Sequence, residues 1–215
     1  MKKTIGGAII EKPIKMAAST RKFLLTLHIL FSVGWLGAVL AYLSLAITGL
    51  VSQKDEIVRM VYPALALVGW YVIVPCSLAA LLTGLVQSLG THWGGGRYYW
   101  VFLKFLLTFV ASIVLVNHMP VVSKMANMVG KGQIFGSEYE KLQIQLLVHA
   151  AGGLLILLTT TVLSVYKPWG KTGYGLPKQE EYRQNSRPYL LLGIAGLVIL
   201  FVIVHLITGG MRGHH

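Results

Sequence analysis

Five stretches of this sequence are long and almost free of charge, and that pattern constrains the fold more than anything else in the chain. They run over 23–51, 58–89, 98–125, 142–166 and 188–208. A helix needs about 20 apolar residues to cross the hydrocarbon core of a bilayer. Each stretch meets that length, and lipid offers no hydrogen-bond partner to an open backbone, so each is expected to be helical. The expected fold is therefore an all-α, polytopic transmembrane helix bundle of five spans, or four if one stretch only dips into the membrane. A basic segment over 1–22 precedes the helical domain over 23–209, and a short tail over 210–215 follows it. With 55% hydrophobic and 12% charged residues, the composition also falls outside the range of soluble domains, which carry about 25% charge. No connector is long enough to bury a core of its own.

Charge sets the expected orientation. Lys2, Lys3, Lys12, Lys15, Arg21, Lys22, Arg97, Lys167, Lys171, Lys178, Arg183 and Arg187 fall on one side of the five-span arrangement. Only Lys54, Arg59, Lys124, Lys131, Lys141 and Arg212 fall on the other. Short loops rich in Lys and Arg stay in the cytoplasm, so the N-terminus is expected inside and the C-terminus outside. Trp93, Tyr98, Tyr99, Trp100, Tyr166 and Trp169 gather at the same inner interface. The net charge of +12 then reads as topology and contact with anionic lipid, not as a nucleic-acid surface. The apolar patch Ile5 to Ile10 is broken by Glu11, Lys12 and Pro13, too early for a signal-peptide core. The first span is expected to be an uncleaved anchor.

Packing signals are of two kinds. Gly34, Gly37 and Ala41, then Gly152 and Gly153, then Gly193 and Gly196 mark faces where helices can approach closely. Pro75 should bend the second span, because it removes a backbone donor and crowds the preceding turn. Cys76, the single cysteine, excludes an internal disulfide and reads as a small buried hydrophobe.

Histidine is the one chemistry the spans offer. No aspartate or glutamate lies in any of them, and there is no phosphate-binding loop, dinucleotide fingerprint, HExxH pair or nucleophile elbow. His28, His118, His149 and His205 all fall within spans, and an ionisable group inside a membrane is a functional candidate by default. At 1.5 Å per residue, His118, His149 and His205 lie roughly 8–9 Å outward of the middles of their spans, at one shared level. His28 and Lys104 lie at a comparable inner level. Imidazole ligates haem iron, copper and zinc. One reading is b-type haem held by His149 with His205, or by His149 with His118, the small Gly152 and Gly153 making room for the macrocycle. His28 would serve a separate inner site, with Trp35 nearly on its face.

A second reading is a copper or zinc site of His118, His149 and His205 in a metal or small-solute permease. Met119, Met125 and Met128 would then be nearby soft donors. The third is a non-catalytic membrane subunit whose histidines bond neighbouring helices or reach toward water. Lys104, near its helix start, can likewise snorkel inward. Pro120, two residues after His118, is where that helix is expected to end or bend. Membrane lipid is the partner expected under every reading, with a redox partner or partner subunit under the first and third.

The run Leu27-His28-Ile29-Leu30 followed by Gly34-Trp35-Leu36-Gly37 resembles the first helix of the copper-resistance-protein-D-like proteins and of HemJ-type protoporphyrinogen oxidases. With Leu81 to Ser88 and Leu163 to Pro168, the wider pattern is most similar to the DUF2269 group of bacterial integral membrane proteins. The resemblance covers spans one to four. It implies haem association or copper handling, with His28, Lys104 and His118 as the positions that correspond to the HemJ-type histidine and lysine. Lys104 and His118 are more widely spaced than in that family, and no Tyr-Leu-Pro-Arg run follows the first helix, so its oxidase activity is not expected here.

Overall fold

A computed structural model describes residues 16–90 and 98–167. Within them the chain forms four long helices: α1 (Ala18–Val51), α2 (Asp55–Gly90), α3 (Tyr99–Gly130) and α4 (Ser137–Tyr166). All four are long and apolar enough to cross a membrane. The stretch 188–208 lies outside the described residues.

Each helix is longer than its apolar stretch. α1 has 34 residues, about 51 Å at 1.5 Å per residue, against a hydrocarbon core of about 30 Å. The extra residues at the starts of α1, α2 and α4 are largely polar, and there sequence hydropathy no longer marks the helix. Between 17% and 39% of each apolar window is buried inside the bundle. Leu30, Val33, Leu40, Leu82, Phe102 and Leu155 are among the large apolar side chains left facing outward. A continuous apolar exterior of this kind is untenable in water and ordinary in lipid. The chain is a multi-pass membrane protein.

Short connectors make successive helices antiparallel. After Val51 the backbone turns extended at Ser52, whose hydroxyl oxygen accepts from the Lys54 N–H at 3.2 Å. Asp55 and Glu56 then open α2, and Glu138 and Glu140 open α4, each placing negative charge at the positive end of a helix dipole. The α3–α4 connection turns through Gly132 and Gly136, with φ of +79° and +110°, a region that favours residues without a Cβ. The end carrying these two connections is called the loop end below, and the opposite one the N-terminal end.

The loop end is tied by one side chain. The Gln143 amide of α4 donates to the Tyr62 hydroxyl at 2.8 Å, the Tyr139 hydroxyl at 3.0 Å and the Gly49 carbonyl at 3.2 Å. It thereby joins α1, α2 and α4. Tyr62 and Tyr139 also meet edge to face, with centroids 6.0 Å apart, a favoured aromatic geometry. The arrangement requires glycine at position 49, where a Cβ would stand 2.9 Å from the Tyr62 ring.

The glycines expected to mark close approaches do so unevenly. Gly34 meets Cys76, whose Sγ lies 3.6 Å from the Cβ position, but Gly37 has nothing within 4 Å. Gly37 is exposed on the lipid side. Tight contacts occur instead at Gly49, Gly69, Gly84 and Gly90.

The helices that carry Pro75 and Pro120 both continue past them. α3 does not end at Pro120 but continues to Gly130, since apolar surroundings give the backbone no better partner than the helix. Before Pro75, α2 passes through a π-turn over Gly69–Ile73 in which the Val74 N–H reaches back to the Gly69 carbonyl. The inserted residue rotates the rest of the helix, and π-turns recur at functional positions.

Candidate functional site

The π-turn lies opposite His118 and His149. Trp35, Val39 and Tyr42 of α1 follow one another at helical spacing on a buried face. With Gly69 and Ile73 of α2, they close one side of a cavity of about 60 Å³ whose other walls come from α3 and α4. One water needs about 10–15 Å³ on this measure, so the space admits several waters or one small flat ring. Leu115, His118 and Met119 line it from α3, and Leu146, His149, Gly153 and Ile156 from α4. No charged carboxylate, lysine or arginine is among these walls.

His118 and His149 are brought together, as their common depth suggested. Their rings stack face to face, with centroids 3.8 Å apart and planes within 3° of parallel, and both residues are buried. His149 Nδ1 lies 2.8 Å from the Gln145 carbonyl oxygen one turn back. A carbonyl can only accept, so Nδ1 carries the proton and Nε2 the lone pair.

Stacking decides what this pair can ligate. An imidazole binds a metal along its nitrogen lone pair, in the plane of the ring. Two parallel planes never meet, so a shared ion at about 2.0–2.1 Å from each nitrogen would lie out of plane for both rings. As they lie, His118 and His149 do not fit opposite faces of one haem iron, and the walls hold no cation to receive haem propionates. His205, the other axial candidate and the third member of the tri-histidine metal site, lies outside the described residues. Among the described residues, no group of three or more His, Cys, Asp or Glu converges.

Gly152 and Gly153 part company. Gly153 lines the cavity with nothing within 4 Å of its Cβ position, whereas Gly152 is buried away from these walls. His28 stands apart from the cavity altogether. Its Nδ1–H donates to the Ala80 carbonyl at 3.0 Å and the Thr83 hydroxyl at 3.1 Å, stitching α1 to α2 near the N-terminal end. Gly84 makes room for the ring, since a Cβ there would stand 3.0 Å from His28 Cε1. Trp35, expected beside His28, faces the cavity instead. The Lys104 ammonium lies 5.6 Å from the Trp100 ring centroid, a cation–π contact on the half-buried start of α3.

Sequence reasoning missed Tyr42. Its side chain is 6% exposed and lines the cavity. Its hydroxyl is buried with no hydrogen-bond partner among the described residues. A tyrosine in mid-span reads as packing. Only the discovery that Trp35, Val39 and Tyr42 share one buried face with an open space beyond them separates it from that role.

Fold and site together define an all-helical, multi-pass membrane protein with an aromatic and imidazole-lined cavity inside its bundle. Comparison with known proteins adds no closer identity: no family model, curated protein or solved structure matches the chain.

Proposed function

We propose that this protein binds a small, uncharged, largely apolar molecule from within the membrane, at the cavity between Trp35, Tyr42, His118 and His149, and acts in membrane redox chemistry. The observation that carries the reading is the meeting of two buried imidazoles and a buried phenol in a space otherwise walled by apolar side chains. Packing alone favours filling such a space, and binding sites pair apolar walls with a few polar groups. The redox assignment leans on the resemblance of the first helix. The proposed setting is a bacterial plasma membrane, with the N-terminus cytoplasmic, a fifth span over 188–208, and lipid and a redox partner or partner subunit as neighbours.

The test is an oxidised and reduced absorption spectrum of protein purified in mild detergent with haem supplied during expression, followed by solvent extraction and mass analysis. An apolar ring compound near one per chain, without a Soret band, is the expected result. A Soret band with sharp reduced α and β bands at stoichiometric haem would replace the reading with the His149–His205 haem site. A second reading rests on Met119, which lines the cavity beside His118 and supplies a soft thioether to accompany imidazole. One copper per chain with no organic extract would favour that reading, a soft-metal permease.

A further inference from the structure

The Tyr42 hydroxyl lines the cavity, is buried, and has no hydrogen-bond partner among the described residues. A buried hydroxyl that bonds to nothing is costly, and native proteins retain few of them without a reason. Water is a poor answer here. A buried water commonly needs two to four polar partners, and apart from the stacked imidazoles the walls are apolar: Val39, Ile73, Leu115, Leu146 and Ile156. The missing partner must bring an acceptor for the phenol O–H and otherwise be apolar. It must be uncharged, because no wall residue offers a countercharge. It must also tolerate flat aromatic neighbours, because Trp35 and the two imidazoles form part of the enclosure.

We infer that the cavity is a binding site for a membrane quinone, an uncharged ring whose carbonyl oxygen accepts the hydrogen bond of the Tyr42 hydroxyl while the ring lies among Trp35, Ile73 and Leu115. This rests on the ligand-binding reading above and specifies its ligand class. Gly69 has a supporting part. A Cβ there would meet Met119 Cε at 2.7 Å and Tyr42 Cε2 at 4.0 Å, so a side chain at position 69 would drive Met119 toward the ring space. Tyr42 acts as a positioning residue for the bound ring, and no electron transfer step is assigned to it.

The experiment is a titration of the full chain in mild detergent with a short-chain ubiquinone and with menadione, read by quenching of tryptophan fluorescence. An alkylbenzene, which carries no hydrogen-bond acceptor, serves as the control. Wild-type protein should bind either quinone saturably, one per chain. Tyr42→Phe should bind about tenfold more weakly, the loss of roughly one hydrogen bond. The control compound should not distinguish the two proteins. The melting temperature of ligand-free Tyr42→Phe should equal or exceed that of wild type, since the substitution removes an unsatisfied buried hydroxyl. A role in holding the bundle together would lower it.

Equal quinone affinity for both proteins, or a lowered melting temperature for Tyr42→Phe, overturns the assignment. Displacement of the quinone by lipid acyl esters at equal concentration, with the same dependence on Tyr42, overturns the quinone class in favour of a lipid carbonyl. Ala111→Phe, which puts a ring into the cavity from α3, keeps the two levels apart. If it leaves all binding of apolar rings intact, the cavity reading itself fails. If it abolishes binding while Tyr42→Phe does nothing, only the quinone assignment fails.

Discussion

At the scale of single residues, glycine and histidine explain each other. His28 can reach the Ala80 carbonyl only because Gly84 leaves space for its ring. Gly84→Val should expel the imidazole and cost about 1–3 kcal/mol, measured by denaturant unfolding in detergent. An unchanged midpoint would mean that the His28 bond contributes nothing. Gly49→Ala should be similarly damaging, because the group it meets is the rigid Tyr62 ring rather than a flexible chain end. The histidines were legible from sequence because depth in a membrane is simply residue count times rise, and that arithmetic put His118 and His149 at one level. Depth says nothing about azimuth. The stacking of the two rings, the separation of Gly152 from Gly153, and the role of Tyr42 all depend on how each helix is rotated about its axis.

At the scale of the elements, polar links differ greatly in weight. The Lys124–Glu138 ion pair joins α3 to α4, but its side chains are 56% and 59% exposed, and surface pairs contribute little. The Gln143 amide joins three helices from a half-buried position. Gln143→Leu should therefore destabilise by about 1–3 kcal/mol, and Lys124→Ala by less than about 0.5 kcal/mol, in the same unfolding measurement. The reverse order would contradict this account of the loop end. Pro75 marks the second span in the sequence as a place for a bend, but nothing in the sequence marks the π-turn at Gly69–Ile73. A π-turn adds one residue without a compositional mark, and its consequences appear only in space. Gly69 and Ile73 come to face the cavity, and Trp70 Nε1 donates to Ser123 Oγ of α3 at 3.0 Å.

For the whole molecule, hydropathy located four helices to within a few residues at their apolar ends and fell short where polar turns extended them, as at 137–141 ahead of the fourth apolar stretch. Backbone hydrogen bonding continues a helix after apolar composition stops, so the true ends are set by Ser52, Gly132 and Gly136 rather than by hydropathy. Orientation rests on loop charge and is open to direct test. In a Cys76→Ala background, Gln53→Cys and Phe135→Cys at the loop end should react with an impermeant thiol reagent in intact cells. Ala17→Cys should react only after lysis. Labelling in the opposite sense would invert the molecule in the membrane and leave the cavity argument intact.

The central claim is that the cavity among Trp35, Tyr42, His118 and His149 is built to hold a molecule. The most direct measurement is an electron cryomicroscopy map of the protein in native-lipid discs. The account predicts flat, ring-sized non-protein density between Trp35 and the stacked imidazoles, within hydrogen-bond distance of the Tyr42 hydroxyl. Side chains closed over that space, with Tyr42 bonded to another part of the chain, would contradict it.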